Sequence, residues 1–173
     1  MRFSDVRQIT APVAEVWAVL HDTETLLATI PGCERLSPLG SGRYSATLAA
    51  RVGRLADTYR GTFAIDDTCP GSELVVCVAG HGRCGSLELD LRVRLHEGFA
   101  PATTALVYDA RARVSGLVGR LGRTPLTVAG GHITGCFFRD LERAVCARSL
   151  REPPRRAEQQ QPAMASRIVP RIP

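Results

Sequence analysis

The most constraining feature of this sequence is a change in the spacing of its apolar residues. Between Cys33 and Ser115, apolar and polar residues alternate, which is the period of a β-strand that buries one face. Turns such as Gly40-Ser41-Gly42 and Pro70-Gly71 separate the runs by links too short for parallel crossovers. The pattern therefore predicts one curved antiparallel sheet with a single buried face.

The same alternation assigns side chains to the two faces of the predicted sheet. In each run, most alternate residues are apolar and face inward, and the residues between them, many of them charged, face solvent. The clearest runs, with their inward residues, are Arg43 to Val52 (Tyr44, Ala46, Leu48, Ala50, Val52), Leu55 to Ile65 (Leu55, Tyr59, Phe63, Ile65), Ser86 to His96 (Leu87, Leu89, Leu91, Val93, Leu95) and Leu106 to Val114 (Leu106, Tyr108, Ala110, Ala112, Val114).

Helical spacing precedes this region. A short strand, Phe3 to Ile9, ends before Pro12, which is tolerated at the start of a helix. The residues that follow Pro12 repeat at i, i+3, i+4 and i+7, and Asp22 can cap a second short helix that extends to Ile30. The stripe of the first helix consists of Val13, Val16, Trp17 and Leu20.

Helical spacing returns after Gly116 and predicts a long helix that covers the open face of the sheet. Pro125, Gly130 and Gly131 weaken helix formation, so residues 117–131 are expected to form a hinged or broken entrance. Drift in a GC-rich genome is an alternative source of these glycines. The inward stripe of the helix is predicted to be Leu126, Gly130, Ile133, Phe137, Leu141 and Ala144, with the part from Ile133 to Ala144 docked on the sheet.

The distribution of charge divides the 173 residues into a domain, 1–148, and a disordered tail rich in Arg, Pro and Gln, 149–173. Residues 1–147 hold 16 Arg against 15 acidic residues, whereas residues 148–173 hold six Arg against two Glu. The basic excess therefore belongs to the tail, and nucleic acid is not an expected partner. The tail is expected to make weak contact with anionic membranes, chiefly through Arg148, Arg151, Arg155 and Arg156.

Composition excludes several classes of function. The chain contains no Lys, so neither a Schiff-base lysine nor a P-loop is possible. No apolar run reaches the length of a membrane-spanning helix, and the first residues do not resemble a signal peptide. The expected location is therefore the cytoplasm, with the inner face of the cytoplasmic membrane as an additional site.

Six cysteines occur without a C-x-x-C pair, which is typical of reduced thiols. The alternative is a metal site built from Cys77, His81 and Cys84, although a fourth ligand is not evident. Neither a metal nor a cofactor is expected.

Few polar groups fall on the inward face of the predicted sheet. Asp57 is either a functional acid or the marker of a strand end or bulge. Tyr44, Tyr59 and Tyr108 either orient a polar head group in a cavity or belong to the core with their hydroxyls at its rim. No spacing of His, Ser and acidic residues indicates a catalytic triad, so no catalytic residue is assigned.

The order of elements is that of the helix-grip fold, which START domains, birch-pollen-type allergens and polyketide cyclases share. Three local motifs are similar to those of the carbon monoxide dehydrogenase G-subunit family, and the similarity extends over about residues 2–147. These motifs are Ala11-Pro12-x-x-x-Val16-Trp17-x-x-Leu20, Ile30-Pro31-Gly32-Cys33-Glu34, and Gly42-x-Tyr44 followed by Val52-Gly53 and Tyr59-x-Gly61.

The resemblance implies a non-catalytic accessory protein that carries a lipophilic ligand, a quinone, for a molybdenum hydroxylase at the cytoplasmic membrane. The alternatives are an enzyme of the cyclase or dehydratase kind, a generic lipid-binding protein of the same fold, and a tethering module without a ligand. The residues expected to line the ligand cavity are Leu48, Tyr59, Phe63, Leu89, Leu91, Tyr108, Ala110, Leu126, Gly130, Ile133 and Phe137.

Overall fold

The computed structural model describes the backbone of residues 1–151 and the side chains of residues 1–148. Within this range, one strand and two short helices are followed by six strands, one helical turn and a long helix, which is the predicted order. The elements are β1 (Arg2–Ile9), α1 (Val13–Leu20), α2 (Thr23–Thr29), β2 (Cys33–Gly40), β3 (Arg43–Val52), β4 (Leu55–Cys69), β5 (Glu73–Gly82), β6 (Gly85–Glu97), β7 (Thr104–Val114), α3 (Gly116–Gly119) and α4 (Arg123–Arg151).

The strands of the described residues form a single sheet in the order β1-β7-β6-β5-β4-β3-β2, and all neighbouring pairs are antiparallel. Leu89 of β6 pairs with Val78 of β5 and with Ala112 of β7. Alternate residues along β6 and β7 are buried or half-buried, and most of those between them are exposed. The predicted antiparallel sheet with one buried face is therefore confirmed.

The two short helices form where the sequence predicts them. Pro12 immediately precedes α1, and Val16, Val19 and Leu20 bury the inner side of this helix, each at most 6% exposed. The side chain of Asp22 caps α2 by accepting a hydrogen bond from the backbone N–H of Thr25 at 3.1 Å. This cap stabilises α2, and the apolar stripe of α1 and Leu26 of α2 hold the two helices on the inner face of the sheet.

Helix α4 is continuous from Arg123 to Arg151, so the predicted hinge or break is wrong for residues 123–131. Pro125 lies in the first turn, where its missing N–H costs no helical hydrogen bond. The chain bends before this helix, at Gly122, whose φ is 85°. None of the helices in residues 1–151 combines the length and hydropathy needed to cross a bilayer. Helix α4 extends three residues into the predicted tail, and residues 152–173 lie outside the described part of the chain.

The buried stripe of α4 differs from the predicted one at Ile133. This side chain is 45% exposed, whereas Phe138, Leu141 and Val145 are at most 7% exposed. Thr134, which is partly buried, lies on the stripe in place of Ile133. Positions three and four residues apart both lie near one face of a helix, and the angle at which α4 crosses the sheet determines which of them is buried.

Two clusters of apolar side chains hold the fold together. The main cluster lies between β1, β5, β6, β7, α1 and the C-terminal half of α4. The second lies under α2 and consists of Leu26, Leu36 and Phe63 with half-buried neighbours. The N-terminal turns of α4 contribute to neither cluster, and this arrangement leaves part of the inner face of the sheet less completely covered.

Candidate functional site

The path of α4 across the sheet determines which inner-face residues remain half-exposed. Phe138 lies against Tyr108, with ring centroids 5.3 Å apart, and a Cβ added to Gly130 would lie 2.6 Å from Phe3 Cζ. Phe3 pairs with Ala110 in the sheet. The first turns of α4 therefore extend past Ala110 toward the end of the sheet that carries the β3–β4 and β5–β6 turns.

At this end of the sheet, the inner-face side chains are half-buried and belong to neither core cluster. Leu48 pairs with Tyr59 across β3 and β4, and Gly80 pairs with Leu87 across β5 and β6. Leu126, in the first turns of α4, is also half-buried. We call this half-exposed apolar region the cleft, and its residues are Leu48, Tyr59, Gly80, Leu87 and Leu126.

The floor of the cleft carries no side chain at Gly80, and a side chain could be added there without a clash. A Cβ at this position would make only ordinary contacts, at 3.8 Å from the backbone oxygen of Arg60 and 3.9 Å from Tyr59 Cβ. Its cross-strand neighbour Gly61 is different, because a Cβ there would overlap the backbone of Ala79. Gly80 is not among the residues predicted from the sequence to line a cavity, although a glycine inside a strand is itself a signal of close approach or missing side-chain volume.

Asp57 lies beside the cleft and has a structural partner in the turn between β5 and β6. Its side chain is only 4% exposed. It accepts hydrogen bonds from the backbone N–H groups of Cys84 at 2.6 Å and Thr58 at 2.8 Å. The bond from Cys84 is the main reason that the pKa of the Asp57 carboxyl lies below its usual range, despite the opposing effect of burial.

The sequence predicts Asp57 to be either a functional acid or the marker of a strand end or bulge, and the structure fully matches neither prediction. It pairs with Ala50 in continuous register, so it marks no bulge. Both carboxylate oxygens accept backbone N–H groups, and the guanidinium of Arg83, which is 92% exposed, lies 3.9 Å away. The carboxylate therefore stabilises the β5–β6 turn, and its low pKa does not suit a general acid.

Of the three tyrosines, only Tyr59 lies in the cleft. Tyr44 stacks on Phe63 with ring centroids 4.6 Å apart, and Tyr108 is 8% exposed against Phe138. Burial is the main cause that raises the pKa of Tyr59, followed by the nearby Asp57 and Cys84. The phenol therefore remains protonated and available as a hydrogen-bond donor.

The structure distributes the predicted ligand-contacting residues between the cleft and its surroundings. Leu48, Tyr59 and Leu126 lie in the cleft, and four further residues are half-buried at its inner border: Leu89, Leu91, Gly130 and Phe137. Phe63 belongs to the second cluster, whereas Tyr108 and Ala110 are buried in the main cluster. The exposed side chain of Ile133 lies outside the cleft.

The cysteine and histidine residues considered as metal ligands do not form a site in the described part of the chain. No group of three or more His, Cys, Asp or Glu side chains is arranged there to hold a metal ion. Cys77 and His81 lie on the outer face of β5, and Cys84 lies in the turn bonded to Asp57.

Two open depressions lie on the outer face of the sheet, with volumes of about 300 and 360 Å³. Their linings carry charged side chains, among them Arg94, which pairs with Glu73, and Glu88, which pairs with Arg113. Such a surface suits water better than an apolar ligand. The cleft on the inner face remains the candidate site.

Solved structures similar to this chain share its fold. A conserved protein from Geobacillus kaustophilus matches with 24% identity and a TM-score of 0.80, over 86% of this chain and 97% of that chain. A START superfamily protein from Mycobacterium smegmatis matches with 12% identity and a TM-score of 0.66, over 84% and 97%. The Zhui aromatase/cyclase from Streptomyces sp. R1128 matches with 16% identity and a TM-score of 0.63, over 87% and 95%.

These identities are low, so the structural matches define the fold and not the ligand or the reaction. The comparison with curated proteins gave no match. Residues 7–146 match the family of the G subunit of carbon monoxide dehydrogenase (CoxG). This match covers most of the chain, and the protein therefore belongs to the carbon monoxide dehydrogenase G-subunit (CoxG) family.

Proposed function

We propose that the protein binds a lipophilic molecule in the cleft and serves a molybdenum-containing enzyme of the carbon monoxide dehydrogenase type without catalysis of its own. Membership in the CoxG family supports an association with such a system. The ligand that the family resemblance implies is a quinone. A long-chain quinone combines an apolar tail with a small polar ring, which is the chemistry that a largely apolar cleft accommodates.

The observation that carries this proposal is the chemical character of the cleft. Four of its five residues are leucine or glycine, and the fifth is Tyr59. The shielded acid beside it, Asp57, is engaged by two backbone N–H groups. General acid–base catalysis needs a proton donor or acceptor whose pKa lies near the working pH, and the low pKa of Asp57 is unsuitable.

Burial of an apolar tail provides enough free energy for useful binding. At about 25 cal/mol per Å² of apolar surface, a few hundred Å² contributes several kcal/mol. Association costs reduce this gain, and micromolar affinity is the expected result.

Thermal unfolding in the presence of long-chain quinones tests the proposal. A quinone at about 100 times its Kd should raise the midpoint by about 5–10 °C, because it binds only the folded state. Mass spectrometry of organic extracts from the purified protein should identify the same class of molecule. The absence of any shift with quinones, fatty acids and polyprenyl lipids would contradict the proposal.

Two variants test whether the quinone-induced shift of the unfolding midpoint depends on the cleft. Gly80→Val places a side chain in the open floor and should reduce the quinone-induced shift. Ala79→Val adds the same side-chain type on the opposite face of β5, where Ala79 is exposed, and should retain the shift. Equal shifts in both variants would place the ligand elsewhere in the molecule.

The fold also accommodates cyclases, as the similarity to an aromatase/cyclase indicates. The same extraction experiment separates the two functions. After incubation with a carrier, the extracted ligand is chemically unchanged. After incubation with a cyclase, the extracted molecule contains a new ring or has lost water.

A further inference from the structure

Tyr59 is the one cleft residue with a polar side chain, and the carboxylate of Asp57 is its polar neighbour. The residue is half-buried between Leu48 on one neighbouring strand and Gly80 on the other. Among the described residues, no hydrogen bond is found for its hydroxyl. Every fully buried side-chain polar atom in the described range has a hydrogen-bond partner. The unpaired hydroxyl of Tyr59 is therefore accessible to solvent. A hydroxyl in this position is free to bond a ligand that enters the cleft.

The neighbour of Tyr59 restricts what the hydroxyl can bind. The Asp57 carboxylate is largely shielded from water, so its negative charge is weakly screened on the cleft side. Arg83 offsets this charge only in part, because its side chain is 92% exposed and its guanidinium lies 3.9 Å from the carboxylate. A ligand that carries its own carboxylate would be repelled here, whereas a neutral carbonyl would not.

Gly80 lies next to Tyr59 and carries no side chain that would compete with a head group for this position. The Cβ of Tyr59 lies within 3.9 Å of the position that a Gly80 Cβ would occupy. A larger side chain at this position would lie against Tyr59. A hydrogen-bond donor, a negative charge and a missing side chain therefore occur at neighbouring positions of the sheet.

We propose that Tyr59 is the residue that determines head-group specificity in the cleft, by donating a hydrogen bond to a neutral carbonyl oxygen of the ligand while Asp57 disfavours carboxylates. This inference rests on the proposed function, since it requires that the cleft holds a ligand. Beyond the proposed function, it names the chemical class of the head group and the residue that recognises this group.

The test compares Tyr59→Phe with the matched variant Tyr44→Phe. Tyr44 is also half-buried and also on the inner face, but its ring stacks on Phe63 away from the cleft. Two probes of equal chain length, decylubiquinone and n-decylbenzene, differ in whether the ring carries oxygen atoms that accept hydrogen bonds. Isothermal titration calorimetry measures the affinity of each probe for the wild type and for both variants.

Tyr59→Phe should weaken decylubiquinone binding about five- to tenfold, which corresponds to the loss of one hydrogen bond. Binding of n-decylbenzene should be unchanged, and Tyr44→Phe should bind both probes as the wild type does. Undecanoate should bind the wild type more weakly than 2-dodecanone, which has the same decyl chain and presents a neutral carbonyl. Equal affinity of Tyr59→Phe and wild type for decylubiquinone would overturn the inference while leaving the carrier function intact. Failure of the wild type to bind any probe would overturn both.

Discussion

At the scale of single residues, Asp57 shows how the environment decides what a side chain does. A carboxylate on the inward face of a strand is costly unless its oxygens find donors. Asp57 finds them in the backbone of Cys84 and Thr58, so that it holds two segments of chain together. Gly82 makes this close approach possible, because a Cβ there would collide with the Asp57 carboxylate.

The pH dependence of stability should reveal this role. The pKa of Asp57 is lower in the folded state than in the unfolded state, so its contribution is present above the unfolded value of about 3.9 and is lost as pH falls through the folded value. Asp57→Asn should therefore lower the free energy of unfolding at neutral pH, and the deficit relative to wild type should narrow in acid. Urea denaturation at a series of pH values measures it. Asp66→Asn, at an exposed position of the same strand, serves as the control, and equal pH profiles for the two variants would refute the role of Asp57.

At the scale of elements, the three glycines in the middle of α4 are not equivalent. Gly131 and Gly135 have open space where a Cβ would stand, whereas a Cβ on Gly130 would press on the ring of Phe3. Gly130 thus permits the close approach of α4 to β1, and the other two only weaken the helix.

Alanine substitutions should separate these roles. Gly131→Ala and Gly135→Ala should each raise the free energy of unfolding by about 0.5–1 kcal/mol, because alanine favours the helix and meets no neighbour. Gly130→Ala should give no such gain, since the Phe3 ring must move to admit the methyl group. Chemical denaturation of the three variants measures the free energies of unfolding. An equal gain for Gly130→Ala would mean that the contact with Phe3 does not oppose a methyl group at this position.

At the scale of the whole molecule, the charge is divided between the folded domain and the arginine-rich segment that follows it. Truncation after residue 151 keeps α4 intact and removes Arg155, Arg156, Arg167 and Arg171. Each arginine near an anionic surface contributes roughly 1 kcal/mol to membrane attraction. The truncated protein should therefore sediment less with anionic vesicles at low salt and should bind quinone as the full chain does. Equal sedimentation of both proteins would exclude the segment as a membrane contact.

Much of the architecture follows from the sequence, because the spacing of apolar residues is a local property. A period of two between Cys33 and Ser115 predicts strands with one buried face, and their short links require antiparallel pairing. The helical period on either side, with Pro12 and Asp22 at the helix starts, predicts α1, α2 and α4.

Other features depend on contacts between residues far apart in the chain, which periodicity cannot specify. Ile133 satisfies the helical spacing and yet is exposed, because α4 packs on the sheet through Phe138, Leu141 and Val145 instead. Asp57 has the sequence pattern of a candidate acid, but its role depends on Cys84, 27 residues later. The cleft itself exists because the first turns of α4 extend beyond both core clusters, and only the packing of helix on sheet determines where such coverage ends.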